Sequence, residues 1–287
     1  MIYGGIEAGG TKFVCAVADD HGKILQRTQF PTEAPQPTIA KAVDFFRDLP
    51  DITAIGIASF GPISLSAGRI TSTPKPGWQN FAIVEAVRSE LAVPVAFDTD
   101  VNAAALGEGK WGAARGLDTF LYLTVGTGIG GGAVVGGRLI HGLHHPEMGH
   151  IRIPHDSAFA GVCPYHGDCL EGLACGKAME QRCGCRAEDL PADHPVWKEE
   201  ARLLSRALVN WICTLSPQLI IMGGGVMKQQ SLFPAIREQV AMLLNNYVPI
   251  PEIVPPKLGD DAGVLGAVTL ALPSAFDVPQ SQRITTP

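Results

Sequence analysis

The sequence has no run of Lys or Arg longer than an isolated pair, and its formal charge is −6. Phosphate-backbone binding needs a concentrated basic face, so nucleic acid is not expected as a partner. No uninterrupted apolar stretch approaches the roughly 20 residues that a membrane span needs, and no basic-then-apolar leader opens the chain. A soluble, cytoplasmic protein with no membrane partner is the expectation. A disulfide framework is missing too. The cysteines number seven, an odd count in a chain of 287 residues, and three of them sit near histidines rather than being spread through loops. In a reducing compartment such clustering points to metal binding. Short-period repeats and low-complexity segments are absent, as are the Walker A and GxGxxG patterns. What is present is 46% hydrophobic and 17% charged residues, the balance of a well-buried globular chain and long enough for two lobes.

Hydrophobic patterning predicts a strand, a Gly9-Gly10 turn and a second strand between Ile2 and Val17. Asp19-Asp20-His21-Gly22 reads as a turn into a third strand, Lys23 to Thr28. A helix from Thr38 to Arg47 follows, with Ile39, Ala42, Val43 and Phe46 at helical spacing. Then come a buried strand Ala54 to Ser59, a helix Phe81 to Leu91, a strand Val95 to Thr99 and a helix Asn102 to Trp111. The pattern restarts with a strand Phe120 to Val125, a glycine turn Thr127 to Gly132, and short strands at Ala133 to Val135 and Arg138 to Ile140. A long helix Val196 to Leu215, a strand Leu219 to Met222, a helix Leu232 to Leu244 and an Ala/Gly-rich helix Ala262 to Leu272 complete it. The repetition predicts two similar α/β lobes with a cleft between them: residues 1–117 joined by the C-terminal segment 262–287, and residues 118–261. The tail Pro273 to Pro287 is expected to be loosely held.

Five constellations carry chemistry. Gly9-Gly10-Thr11-Lys12 follows the first strand; glycines let the backbone approach an anion, while Thr11 adds a hydroxyl and Lys12 a cation. An ordinary hairpin explains this turn equally well when it is taken alone. Gly126-Thr127-Gly128-Ile129-Gly130-Gly131-Gly132 occupies the corresponding place in the second half. Five glycines in seven residues imply a backbone lying against a ligand, because each glycine loses conformational entropy on folding. Gly223-Gly224-Gly225 offers a third close approach, suited to the flat part of a nucleotide. In Asp98-Thr99-Asp100-Val101-Asn102, Asp100 suits the carboxylate that takes a proton from an attacking hydroxyl in phosphoryl transfer; the bland alternative is a helix cap. Finally, Cys163-Pro-Tyr-His166-Gly-Asp-Cys169 has the tight spacing of a zinc loop. It needs a fourth ligand, for which His150 is the nearest candidate and His155 and Cys175 compete. Zinc is favoured over iron. Cys183-Gly184-Cys185 is read as incidental, and Cys15 and Cys213 as core residues. Thr73 to Trp78 is expected to shape the sugar end of the site.

These strings, together with Glu7-Ala8, Ser59-Phe60-Gly61-Pro62, Glu147 to His150 and Glu171-Gly172, resemble the ROK family of sugar kinases and sugar-responsive repressors, and most closely its bacterial fructokinase branch. The resemblance runs through nearly the whole chain. It implies an actin-like ATPase fold of two ribonuclease-H-like lobes closing on MgATP and a hexose. Asp100 would be the base, and Gly61, Asn102, Glu147, His150 and Glu171 would bind sugar hydroxyls. Gly9, Gly10, Thr11, Lys12, Thr127, Gly128, Gly176, Gly223, Gly224 and Gly225 would serve ATP. His150, Cys163, His166 and Cys169 would hold a structural zinc, His150 using its other ring nitrogen on the sugar. Much of the family has Asp where this chain has Glu7, which would reach Mg²⁺ through water. No helix-turn-helix precedes the first strand, which disfavours the repressor branch. The implied reaction is phosphorylation of D-fructose by ATP. Glucose, mannose or N-acetylhexosamine kinases are alternatives, and a non-catalytic sugar sensor is a further one. A homodimer is expected by analogy alone.

Overall fold

The structure is a computed structural model, and it describes residues 1–49, 51–156 and 158–273. The chain opens with β1 (Ile2–Ala8), β2 (Lys12–Asp19), β3 (Ile24–Pro31), α1 (Pro35–Arg47) and β4 (Ile52–Ser59). The short β5 (Ile63–Ser64) and β6 (Arg69–Ile70) precede α2 (Ile83–Leu91), β7 (Val95–Thr99) and α3 (Asp100–Lys110). Next are β8 (Phe120–Val125), β9 (Ile129–Val135), β10 (Arg138–Leu139), α4 (Leu170–Ala174), α5 (Gly176–Cys183) and α6 (Val196–Leu215). The last are β11 (Leu219–Gly223), α7 (Leu232–Leu244), β12 (Glu252–Val254) and α8 (Ala262–Ala271). They form two compact units. Met1–Gly116, Gly136–His145 and the chain from Lys257 make the first; Leu117–Val135 and Pro146–Pro256 make the second. Segments 136–145 and 257–261, placed by sequence in the second lobe, therefore cluster with the first unit.

In the first unit the sheet order is β3-β2-β1-β4-β7. β1, β2 and β3 are antiparallel, whereas β1, β4 and β7 run parallel. The β2–β3 turn closes because the Asp19 carboxylate accepts from the backbone N–H groups of His21 and Lys23, at 3.0 and 2.9 Å. Gly22 there takes the left-handed φ of +80° that a side chain resists. Strand alternation sorts the two faces. Ile55 and Ile57 of β4 enter a core with Phe46 of α1, Val87 of α2, and the fully buried Phe13 and Trp78. Ala58 points the other way and packs on Ala103 and Leu106 of α3 and on Ala267 and Leu270 of α8. Gly56 makes that second face flat: a Cβ there would lie 1.8 Å from the Ala267 carbonyl. Gly266 of α8 likewise lies against α3, 2.1 Å from the Ala103 carbonyl for a notional Cβ. The Ala/Gly composition of α8 is thus what lets two helix backbones and a strand touch.

In the second unit β9, β8, β11 and β12 follow one another, with β8 and β9 antiparallel and the rest parallel. The same hairpin-then-parallel order recurs, and the repeat expected from the sequence is present. One face of α6 is an apolar stripe through Trp197, Ala201, Leu204, Leu208, Trp211 and Ile212, the spacing of a buried helix side. Ser205 of that helix donates to the Ile236 carbonyl of α7 at 3.3 Å. The helices α4 and α5 were not foreseen. Their stretch, Leu170 to Cys183, is interrupted by Gly172 and Gly176, and α4 is tied to the metal loop described below by Leu170 N–H on the Ile151 carbonyl and Val162 N–H on the Gly172 carbonyl, both at 2.9 Å. Of the expected tail, all beyond Pro273 lies outside the described residues.

Candidate active site and metal centre

Parallel strands deliver their C-terminal ends to one sheet edge, where ligands of open α/β sheets bind. In the first unit Ala8 aligns with Ser59, and Ser59 with Thr99. The residues that follow those three positions are Gly9-Gly10, Phe60-Gly61 and Asp100. One edge thus gathers the first glycine turn, the proposed sugar contact Gly61, whose bond to Pro62 is cis, and the proposed base.

The first turn has its carbonyls occupied from within the protein. Gly9 N–H donates to the Lys12 carbonyl at 3.0 Å. The carbonyls of Gly9 and Gly10 are taken by Thr32 Oγ1 at 2.7 Å and Lys75 Nζ at 2.5 Å, and that of Thr11 by the Thr32 N–H at 2.9 Å. Gly10, Thr11 and Lys12 are exposed. Neither Gly9 nor Gly10 has a positive φ, so glycine serves close approach here: a Cβ on Gly9 would sit 2.6 Å from the Lys12 carbonyl, and Gly10 faces open space. The Thr73 to Trp78 loop therefore reaches the glycine turn through Lys75. Trp78 itself is a core residue, edge-on to Phe60 and Phe81, with its indole N–H on the Glu33 carbonyl at 2.9 Å.

Asp100 is the first residue of α3, which starts two residues before the expected Asn102. Thr99 is the N-cap, its Oγ1 accepting the Asn102 N–H at 3.1 Å. The capping explanation for Asp100 thus fails, since its neighbour does that work. The Asp100 carboxylate accepts the adjacent Val101 N–H at 2.9 Å. Glu7 lies close by. Burial, and then the negative charge of Asp100, push its carboxyl up to about 7 against the pull of Lys12. Its Oε2 is buried without a hydrogen-bond partner, in space that exists because Gly263 of α8 has no Cβ: one would stand 2.4 Å from the Glu7 carboxyl carbon.

Two clusters missed by motif reasoning complete this unit. Asp98 binds Asn102 Nδ2 at 2.8 Å and His141 Nε2 at 2.9 Å. Fully buried Glu108 accepts the N–H groups of Ala113, Lys257 and Leu258 at 2.6, 3.2 and 2.9 Å. A single acidic letter in a helix gives no sign of partners 149 positions away.

In the second unit the ends of β8 and β11 are level, Thr124 opposite Gly223. Gly176 N–H donates to the Gly126 carbonyl at 2.6 Å, and Gly225 N comes within 3.8 Å of a notional Cβ on Gly126. Gly126, Gly176 and Gly225 are therefore neighbours, with exposed Thr127 beside them. Several glycines of the long run answer to the protein itself rather than to a ligand. A Cβ on Gly128 would meet Glu171 Oε2 at 2.6 Å, and one on Gly131 the Met148 sulfur at 2.7 Å. Gly224, at φ +94°, lies on the Val125 backbone, and Gly223 on the Tyr122 hydroxyl. Only part of the glycine excess is thus left for a ligand.

The ligand atoms of His150, Cys163, His166 and Cys169 all lie within 4.8 Å of one another. His150 Nδ1 is 3.5 Å from Cys169 Sγ and 3.6 Å from Cys163 Sγ, and His166 Nδ1 is 3.6 Å from Cys163 Sγ. Zn–S and Zn–N bonds at tetrahedral angles give an N···S edge of about 3.6 Å, so this donor set fits a tetrahedral ion. Neither of the competing fourth ligands joins in: His155 contacts Asp168 at 3.3 Å, and Cys175 is a buried thiol pushed up to about 11 by desolvation. Because His150 faces the cluster with Nδ1, its Nε2 is turned away, 4.0 Å from Glu147 and 3.9 Å from Glu171. Glu171 in turn accepts the Ile129 N–H at 2.9 Å. One loop therefore carries the metal ligands and three polar groups around a common point.

The sequence pattern of the ROK family matches residues 3–273. A chain of Bacillus subtilis (strain 168) is 50% identical over 283 residues, covering 93% of this chain and 94% of that one. A fructokinase of Lactococcus lactis subsp. cremoris is 46% identical over 259 residues, 88% of each chain. Among solved structures, a ROK family glucokinase from Streptomyces griseus, in complex with glucose and AMPPNP, superposes with a TM-score of 0.81 at 27% identity, over 94% of this chain and 99% of that one.

Proposed function

The chain belongs to the ROK family, and on that premise we propose that it is an ATP-dependent hexose kinase that converts D-fructose and ATP to fructose 6-phosphate and ADP. The observation that carries this reading is Asp100, a carboxylate at the end of β7 that the helix does not need as a cap. It takes the proton of the sugar hydroxyl as that oxygen bonds to the γ-phosphorus and the bond to ADP breaks. The Gly9-Gly10 turn, Thr11 and Lys12 hold phosphate, as do Thr127, Gly176 and Gly225 of the second unit. Gly61, Asn102, Glu147, His150 and Glu171 bind the sugar. Fructose as the acceptor is supported by the names of relatives such as the Lactococcus lactis fructokinase.

Zinc is the ion we assign to the cysteine–histidine set. When bound it supplies structural cross-linking of the loop, and His150, Glu147 and Glu171 are then held for sugar hydroxyls. Magnesium, when bound with ATP, offsets phosphate charge; the orphaned Oε2 of Glu7 is an acceptor able to hold one of its water ligands. A cytoplasmic homodimer belongs to the same proposal; among the described residues no helix is long and apolar enough to cross a membrane. The test is ADP release measured over fructose, glucose, mannose and their N-acetylated amines. Fructose is expected to give the highest kcat/KM. Preference for glucose or mannose would move the acceptor, and turnover of none would leave a sugar sensor.

A further inference from the structure

Asp98 is 2% exposed, and its two oxygens receive three donors. Oδ1 accepts the Thr99 N–H at 2.7 Å and Asn102 Nδ2 at 2.8 Å; Oδ2 accepts His141 Nε2–H at 2.9 Å. A carboxylate offers only acceptors, so it dictates what faces it. The histidine carries its proton on Nε2, and the Asn102 amide turns its nitrogen toward Asp98. The Asn102 carbonyl oxygen must then point the other way, where it is buried and meets no protein donor. Asn102 is itself 1% exposed. The 3.3 Å approach of His141 Nε2 to Asn102 Nδ2 joins two donors to one acceptor, so it is steric and hinders rotation of the amide. His141 is delivered by segment 136–145, which is pinned two residues earlier by Leu139 packing beside Ala58, Ala103 and Leu106.

We infer that His141, acting through Asp98, is a positioning residue that locks the Asn102 amide with its oxygen presented to the substrate, so that this contact selects a sugar position bearing a hydroxyl that can donate. The inference rests on the reading that Asn102 binds the acceptor sugar. An oxygen acceptor rewards a hydroxyl and refuses fluorine, which cannot donate; an amide free to turn would offer its N–H to fluorine instead.

The experiment is a kinetic scan of monodeoxy and monofluoro hexose analogues with wild type, His141→Ala, His141→Gln and Asp98→Asn, alongside thermal melting of each. At one ring position wild type should lose at least about 100-fold in kcat/KM for both analogues. His141→Ala should raise the sugar KM by about tenfold while leaving the ATP KM within about twofold, and shrink the fluoro discrimination at that position to about tenfold. His141→Gln, whose amide can still donate to Asp98, should restore much of the discrimination. Asp98→Asn should abolish it, because the new amide can donate to the Asn102 oxygen and reverse its orientation. If His141→Ala does not fold, the last two variants decide the matter between them. Equal losses on every analogue tracking a lower melting temperature would make His141 merely structural and overturn the inference, as would unchanged discrimination in Asp98→Asn. Failure of the underlying reading looks different: wild type would then phosphorylate no hexose, or Asn102→Ala would leave the sugar KM where it was.

Discussion

Thr99 and Asp100 are adjacent, yet the structure divides their work. Thr99 caps α3, so Thr99→Ala should destabilise the protein by about 1 kcal/mol with active-site chemistry largely retained. Asp100 is not the N-cap, so Asp100→Ala should melt near wild type while kcat falls by ~10²–10⁴ and sugar binding stays measurable. Calorimetric titration with fructose beside steady-state turnover separates the two; retained turnover in Asp100→Ala would sink its role as the base. At the metal cluster, Cys169→Ser replaces a soft thiolate by a hydroxyl that zinc binds poorly. Elemental analysis should show loss of stoichiometric zinc from that variant. Its sugar KM should rise more than its ATP KM, since Glu147, His150 and Glu171 share the loop. Absence of zinc from the wild-type protein would remove this site from the proposal.

Elements show most clearly what a sequence reveals. Strands β1, β4 and β8 announce themselves by mainly apolar stretches, and the β2–β3 turn by Asp19 and Gly22, because each depends on neighbours in sequence. The Cys163 to Cys169 spacing is legible for the same reason, one tight loop setting three ligands. His150 as fourth ligand could only be a candidate, since closure depends on folding across 13 positions. What could not be read was whatever depends on distant backbone: the Asp98–His141 pair, the Glu108 anchor, and the division of glycines between ligand and packing. The long glycine run illustrates the last, for Gly131 is fixed by Met148 and Gly128 by Glu171, residues far along the chain. Gly56 is a sharper instance, a glycine in a buried strand that no turn explains. Gly56→Ala would place a methyl 1.8 Å from the Ala267 carbonyl, backbone that cannot swing aside. The variant should lose roughly 1–3 kcal/mol, read as a lowered melting temperature, whereas Gly10→Ala, which meets nothing within 4 Å, should melt like wild type.

For the whole molecule, buried carboxylates set how stability responds to pH. Glu200 of α6 is fully buried, and desolvation pushes it up to about 8, outweighing Arg182 at 3.4 Å. Its Oε1 has no hydrogen-bond partner, which leaves the ionised form poorly solvated. Unfolded, the same group releases its proton near 4.5, the ordinary value. Between those two values the folded state binds the proton that the unfolded state gives up. Stability therefore declines as pH rises through this window and levels off above about 8. Glu200→Gln removes the titration while keeping shape and a partner for Arg182. Its melting temperature relative to wild type should shift upward by several degrees as pH is raised from about 5 to about 8.5, whatever the offset at the acid end. A difference that stays constant over that range would mean that Arg182 keeps Glu200 ionised throughout, and the buried pair would then be a true ion pair rather than a carboxylic acid beside a cation.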